Sequence, residues 1–163
     1  MARVRARERG QVAVYAVLLF PLLMLVVALV LAAGSLEMLR SRLRAQLDMA
    51  ALTATQAIDL GALARGGQPA LVPAKAEALA RQYLAANVAA LGDQILIPPD
   101  AVARAAEVAV SNRPGTDPLT GLANTAPTVS IRIRVPVGVP LLGLAGLSTR
   151  VDLELTGSAA ARS

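Results

Sequence analysis

The first third of the chain is dominated by one long run of apolar residues. From Gly10 to Leu36 no residue carries a charge, and the central part of the run is Val12–Gly34. At about 1.5 Å per residue, a helix over that part is about 34 Å long, which is enough to cross a lipid bilayer. Because such a helix has no polar face to turn towards water, the pattern predicts a transmembrane helix and disfavours the core helix of a soluble domain.

The helical pattern continues beyond the apolar run, but it becomes amphipathic. Apolar residues recur at steps of three and four, which is the spacing of one helix face. These positions are Leu36, Leu39, Leu43, Leu47, Ala50, Ala54 and Ile58. We therefore predict one helix from near Gln11 to near Leu60, transmembrane over residues 12–34 and amphipathic over residues 35–60, with Gly61 as its C-cap.

Small residues near the end of the apolar run predict a surface for close helix packing in the membrane. They are Ala28, Ala32, Ala33 and Gly34. Pro21 lies earlier in the run, where it removes one backbone donor and can bend the helix, which membrane helices tolerate. A secretory signal cleaved before Ser35 is the main alternative, although the apolar run is longer than the usual signal core.

Basic residues precede the apolar run. The first ten residues form a basic tail that contains Arg3, Arg5, Arg7 and Arg9. Because positive residues next to a span are retained in the cytoplasm, the tail predicts an N-terminus inside the cell and a C-terminal part outside it. Three arginines after the run, at positions 40, 42 and 44, reduce this asymmetry. The net charge of +5 is thus a topology signal beside a membrane, and we expect no nucleic-acid partner.

The order of these features resembles a known family. The stretches RERGQVAVYAVLLFPLL and LRSRLRAQLDMAALTAT are similar to the N-terminal region of TadE/TadG-like proteins of the tight-adherence (Flp) pilus assembly system, and closer to the TadG-like group. The resemblance covers the chain up to about Thr55. Its positions in the second stretch are Leu43, Asp48, Ala50, Ala51 and Leu52.

The resemblance implies a role, a location and a processing site. It implies a single-pass protein of the bacterial cytoplasmic membrane, with pilus subunits, assembly-platform proteins or further copies of itself as partners. Pilin-like members are cleaved at the position that corresponds to Gly10 and Gln11, and they carry Glu at the fifth position after the glycine. Here that position is Tyr15, so the resemblance leaves open whether the leader is removed and whether the protein enters a surface filament.

Residues 61–163 are predicted to form an extracytoplasmic α+β head. Pro73 begins a second helix that ends before Gly92. Its apolar face is predicted at Leu79, Tyr83, Val88 and Leu91. Extended segments follow at Gln94–Ile97, Glu107–Ser111, Thr128–Val137 and Thr149–Thr156, with a helical turn over Asp100–Ala106. The predicted fold class is therefore α+β, a long N-terminal helix followed by a small pilin-like head with an antiparallel sheet of about three to four strands.

The last two predicted strands carry opposite charges. Residues 129, 131, 133 and 135 are apolar and alternate with Ser130, Arg132 and Arg134. In the following strand, apolar residues alternate with Asp152 and Glu154. Antiparallel pairing would place the arginines against the acids. Pro136 predicts an edge or a bulge near the end of its strand.

The connection between these two strands, Gly138–Leu147, is wholly apolar. Connections usually face water. Three possibilities follow: the segment folds back onto the core, touches the outer membrane leaflet, or binds another subunit.

The composition counts against catalysis. The chain has no His and no Cys, which excludes thiol chemistry, disulfides, His-based acid–base catalysis and most transition-metal sites. Lys75 is its single lysine, and no motif places a nucleophile beside it. Residues Asp117–Asn124 predict a turn-rich loop. We expect no enzyme activity, no cofactor, no metal and no small-molecule substrate.

Two functions are therefore compared. The first is a structural or assembly role as a pilin-like membrane protein, exerted through lateral packing of the long helix. The second is a membrane-anchored extracytoplasmic binding module without catalytic activity. The low aromatic content, 2%, counts against a tight small-molecule pocket in such a module.

Overall fold

The computed structural model describes the backbone of residues 2–161 and the side chains of residue 15, residues 17–92 and residues 94–161. It is an α+β structure that begins with one long helix, α1, Ala2–Ala54. Pro21 lies inside α1 without ending it. The predicted long helix is confirmed, but its predicted end near Leu60 is wrong.

The chain leaves α1 early because a distant segment pairs with the residues that follow it. Ile58 forms an antiparallel β-bridge with Leu71. The amide of Val72 donates to the Ala57 carbonyl at 2.8 Å. The side chain of Asp59 then caps a new short helix, α2, Leu60–Ala64. Gly61 consequently lies inside α2 and is not the C-cap of the long helix.

The second predicted helix is α3, Pro73–Ala89, and a 3-10 turn, Gly92–Gln94, follows it. Its buried face differs from the predicted one, since only Val88 of the four predicted residues is buried. The buried residues recur every fourth position and are Ala76, Ala80, Leu84 and Val88. Two of these four residues are alanines, and α3 packs against both α4, Pro99–Ala105, and the segment Glu107–Ser111.

Five strands form two antiparallel sheets. They are β1, Glu107–Ser111; β2, Gly115–Thr116; β3, Ala123–Asn124; β4, Thr128–Gly138; and β5, Arg150–Ala160. The larger sheet has the order β1-β4-β5, and β2 pairs with β3 in a separate two-stranded sheet. The predicted antiparallel sheet is confirmed. The segment Gln94–Ile97 contributes only a bridge from Ile95 to Val137.

Pro136 does not mark an edge strand, because β4 is the central strand of its sheet. It pairs with Asp152 of β5, and its carbonyl accepts from the Leu96 amide at 3.0 Å on the opposite side. The nitrogen and carbonyl of one strand residue point the same way. The missing N–H of Pro136 therefore faces away from β5. The pairing of β4 with β1 has already ended at Arg132, so no ladder bond is lost.

The core lies between the sheet and the second half of α1. The inward side chains of β4 are buried as predicted at Val129, Ile131, Ile133 and Val135, and Val137 is buried as well. Leu43 and Leu47 of α1 are fully buried. β5 approaches α1 closely at Gly157, where an added Cβ would lie 2.7 Å from the Cβ of Leu47.

The chain divides into two compact units. One contains Met1–Glu37 together with Val139–Thr149, and the other contains Met38–Gly138 with Arg150–Ser163. We call Val139–Thr149 the apolar loop. It contains a 3-10 helix, Pro140–Ala145. The apolar loop thus belongs to the same unit as the apolar half of α1, although it connects two strands of the other unit.

Candidate membrane and assembly surface

The first part of the candidate surface is the apolar half of α1. Among the described residues, one helix is long and apolar enough to cross a membrane, Val17–Ala54, with a mean hydropathy of 2.9 in its most apolar window. Only 11% of that window is buried. Large side chains there are well exposed, for example Leu18 at 67% and Phe20 at 63%. A buried core helix would show the opposite distribution, so this surface is compatible with a membrane span.

The predicted small-residue surface divides into two parts. Ala28 and Ala32 are buried, with relative exposures of 8% and 1%, whereas Ala33 and Gly34 are exposed. A Cβ added at Gly34 would meet no atom within 4 Å. Pro21, further up the span, is also exposed. The side chains of Ala28 and Ala32 are the only buried ones among those described from Tyr15 to Gly34.

The apolar loop belongs to the same compact unit as these two alanines. Apart from residues of α1 itself, it is the one segment assigned to their unit. The loop is closed on itself, because the Val139 amide donates to the Thr149 carbonyl at 2.7 Å. Two of its four leucines remain outside the packing, with Leu144 71% and Leu147 54% exposed, whereas Leu141 and Leu142 are half-buried. The combined surface of span and loop is therefore apolar and largely uncovered.

The second half of α1 carries the positions of the family resemblance. Leu43, Ala50 and Ala51 are fully buried, while Asp48 and Leu52 are exposed. The buried positions pack inside the unit that contains the sheet. Asp48 lies beside β5, since a Cβ at Gly157 would be 2.7 Å from its Oδ1. In this structure, the buried residues of the motif hold the helix to its own head.

The residues predicted to set the membrane topology and the processing site lie near the N-terminus. They are Arg3, Arg5, Arg7, Arg9, Gly10 and Gln11. Their side chains lie outside the described residues.

The charged face of the sheet forms a small ion-pair network. Arg134 stands opposite Glu154 in the register and donates to it at 2.6 Å, as the alternation predicts. Arg132 lies 3.5 Å from Glu107 and 3.8 Å from Glu154. The hydrogen bond and charge of Arg134 hold the pKa of Glu154 below its ordinary value. The groups pair with one another across neighbouring strands, which is typical of register-fixing pairs rather than of a reaction centre.

The same face of β4 is covered further along by the β2–β3 connection, which the alternation alone does not predict. Asp117 is 2% exposed, and its Oδ1 accepts the amides of Leu119 and Thr120 at 2.8 Å each. Burial raises the pKa of Asp117, but these two amides and the hydroxyls of Ser130 and Thr120 outweigh it, so the pKa lies below 3.8. Ser130 is fully buried as a result. Asp117 is thus a structural residue of the loop.

A recess of about 410 Å³ in the head is one candidate for a ligand site. Its lining includes Ile58, Pro114 and Pro127. Its main polar group, the Asn112 amide, is already used, since it accepts from the Leu71 amide at 2.7 Å and donates to the Leu71 carbonyl at 2.9 Å. Within the described part of the chain, no three acidic residues lie close enough to hold a metal ion. The recess therefore offers little for recognising a polar ligand.

Gly157 and the position of the apolar loop are the features that the sequence analysis missed. A glycine inside a strand is a signal of close backbone approach, so Gly157 could have been found. The position of the loop has no local signal. Comparison with known proteins adds no constraint, because no family model, curated protein or solved structure matches this chain.

Proposed function

We propose that this chain is a single-pass protein of the bacterial cytoplasmic membrane that serves pilus assembly of the tight-adherence type. In this proposal the N-terminus lies inside and the α+β head lies outside. The role is structural: α1 packs laterally in the bilayer against filament subunits, assembly-platform proteins or further copies of this chain. The observation that carries the proposal is the long uncovered apolar surface of α1, with Leu18 and Phe20 both more than half exposed.

The way α1 enters the head supports a structural role. Leu43 and Leu47 are fully buried, and Ala50 and Ala51 are as well. These residues belong to the same compact unit as the sheet. The described part of the helix is therefore not a detachable anchor, because its second half is part of the core of the head.

The chemistry of the head supports a non-enzymatic role. Arg132 and Arg134 pair with Glu154, and Asp117 is held by backbone amides. The chain has neither His nor Cys, and Ser130, the hydroxyl beside Asp117, is fully buried. The alternative of a membrane-anchored binding module has less support, since the recess at Asn112 has its amide engaged by Leu71.

Mass spectrometry of the native protein tests the proposal. We would measure the intact mass and the N-terminal peptide in the cytoplasmic membrane and in filaments sheared from the cell surface. A chain that begins at Gln11 in the sheared fraction indicates a processed subunit. A chain that begins near Met1 and stays in the membrane indicates an anchored assembly factor. A chain that begins at Ser35 overturns the proposal, because α1 would then have served as a signal.

Gene deletion separates the pilus role from simple membrane anchoring. Deleting the gene in its host should abolish surface filaments, and the wild-type gene should restore them. A Leu122→Ser variant is a suitable control, because Leu122 is 65% exposed in the β2–β3 connection and belongs to the other compact unit. Filaments that persist in the deletion strain would contradict the pilus role while leaving the membrane topology untouched.

A further inference from the structure

We propose that the apolar loop inserts into the hydrocarbon of the outer membrane leaflet beside α1, as a second membrane contact of this chain. The inference rests on the proposed function in one respect, since it requires α1 to span a bilayer. Its occupant is lipid, and neither a second copy of the chain nor another protein is needed to cover the loop.

The composition of the loop fits a hydrocarbon environment. No charged residue lies between Arg134 and Arg150, and the loop itself carries polar side chains only at its end, Ser148 and Thr149. Leu144 is 71% exposed and Leu147 is 54% exposed. In water these leucines would form an apolar patch on a connection, where polar residues are the rule. In lipid the same exposure is favourable.

The backbone of the loop also forms internal hydrogen bonds, which suits a medium without water. Amides and carbonyls that enter hydrocarbon need internal partners. The Val139 amide donates to Thr149 at 2.7 Å, and the Leu147 amide donates to Leu142 at 3.1 Å. The Leu142 amide donates back to Val139, also at 3.1 Å. Pro140 has no amide to satisfy. These bonds close the loop into a compact turn.

The position along α1 places the loop at the depth of the outer leaflet. The loop shares a unit with the helix, where Ala28 and Ala32 are buried. Glu37 is the first charged residue after the apolar run and marks its outer boundary. Ala28 precedes it by nine residues, so at about 1.5 Å per residue it lies about 13 Å deeper. That depth is within the outer half of a hydrocarbon core about 30 Å thick.

The loop and the exposed surface of the span share one apolar character, and this favours lipid as the molecule that covers the loop. Around the two covered alanines, α1 exposes Val30 at 66% and Leu31 at 58%. These side chains and the loop leucines belong to one unit and share the same apolar character. A bilayer that surrounds the span therefore reaches the loop as well. The small residues Ala28 and Ala32, which would otherwise admit a partner helix, are already covered.

Site-directed spin labelling of the full chain tests this inference. The chain has no Cys, so a single introduced cysteine is labelled specifically. We would prepare Leu144→Cys and Leu147→Cys, attach a nitroxide, and reconstitute each protein into phosphatidylcholine–phosphatidylglycerol nanodiscs. The readout is the collision rate with oxygen, which concentrates in lipid, relative to a water-soluble nickel chelate. Leu22→Cys in the span and Leu122→Cys in the head, 57% and 65% exposed in the wild type, are the matched references.

The expected result is that labels at 144 and 147 match the label at 22, with an oxygen-to-nickel ratio several-fold above that at 122. A ratio equal to that at 122 overturns the inference and leaves the span intact. Labels shielded from both reagents also overturn it, because a second copy of the chain would then cover the loop. If the label at 22 is itself accessible to nickel, the span fails and the proposed function fails with it.

Discussion

Gly157 is the residue at which the packing of the head has the least tolerance. An added Cβ would lie 2.7 Å from the Cβ of Leu47 and 2.9 Å from its carbonyl carbon. The second of these atoms is backbone and cannot rotate away. Nearby Asp48 Oδ1 is equally close, at 2.7 Å. The approach of β5 to α1 therefore depends on the absence of a side chain at position 157.

Gly157→Ala is expected to lower the free energy of unfolding of the head by about 1–3 kcal/mol, the usual cost of overpacking a core. Gly115→Ala is the matched control, because it is also a glycine in a strand and its added Cβ would meet no atom within 4 Å. The measurement is equilibrium denaturation of the full chain in detergent micelles. Equal stability of the two variants would contradict the close contact between β5 and α1.

Asp117 gives the head a predictable response to acid. Its pKa is lowered in the folded state, because two amides and two hydroxyls outweigh the effect of burial. A group with a depressed pKa binds its proton more readily in the unfolded chain, so its stabilisation is present above the ordinary value of 3.8 and is lost as the pH falls below it. Glu154 acts in the same direction, through Arg134.

We expect the head to lose stability as the pH falls below about 4, and Asp117→Asn to reduce that loss. The asparagine keeps an oxygen for the amides of Leu119 and Thr120 but cannot ionise. The measurement is the denaturation midpoint of both proteins across the acid range. An identical decline in the two proteins would show that Asp117 does not contribute to the acid response.

Among the elements, the strands were predicted well and the ends and faces of helices less well. The alternation of apolar and polar residues in β4 and β5 predicts which of their side chains are buried. Ile131 and Ile133 are nearly inaccessible, and Arg134 is exposed. The end of α1 could not be predicted, because it depends on Leu71 pairing with Ile58 across thirteen positions of chain. Local propensity contains no information about such a partner.

In the candidate surface too, some features follow from the local sequence and others depend on distant segments of the chain. The span follows from composition alone, as an uncharged run from Gly10 to Leu36. The covered face at Ala28 and Ala32 does not, because the apolar loop that accompanies it lies more than a hundred positions further along the chain. The buried face of α3 differs from the predicted one for a related reason: Ala76 and Ala80 are buried in a helix that packs against α4 and β1, although alanines alone indicate no preferred face.

In the proposed topology, the charges on the two sides of the apolar run decide which side of the membrane the head occupies. Four arginines precede the apolar run, at positions 3, 5, 7 and 9, and three follow it, at positions 40, 42 and 44. Because orientation depends on the difference between the two sides, this margin is narrow. We therefore expect the topology to be reversible by changing the first group alone.

Replacing all four N-terminal arginines with glutamine leaves only the three that follow the span, so we expect the head to be retained in the cytoplasm. The measurement uses Leu122→Cys, a unique cysteine in the exposed β2–β3 connection, and a membrane-impermeant maleimide applied to intact spheroplasts. The protein with its natural arginines should be labelled, and the four-glutamine variant should be protected until the membrane is lysed. The matched control replaces the arginines at 40, 42 and 44, which widens the asymmetry and should leave labelling complete. Protection of that control, or of the protein with its natural arginines, would contradict an N-terminus inside the cell and thereby the topology on which an external head depends.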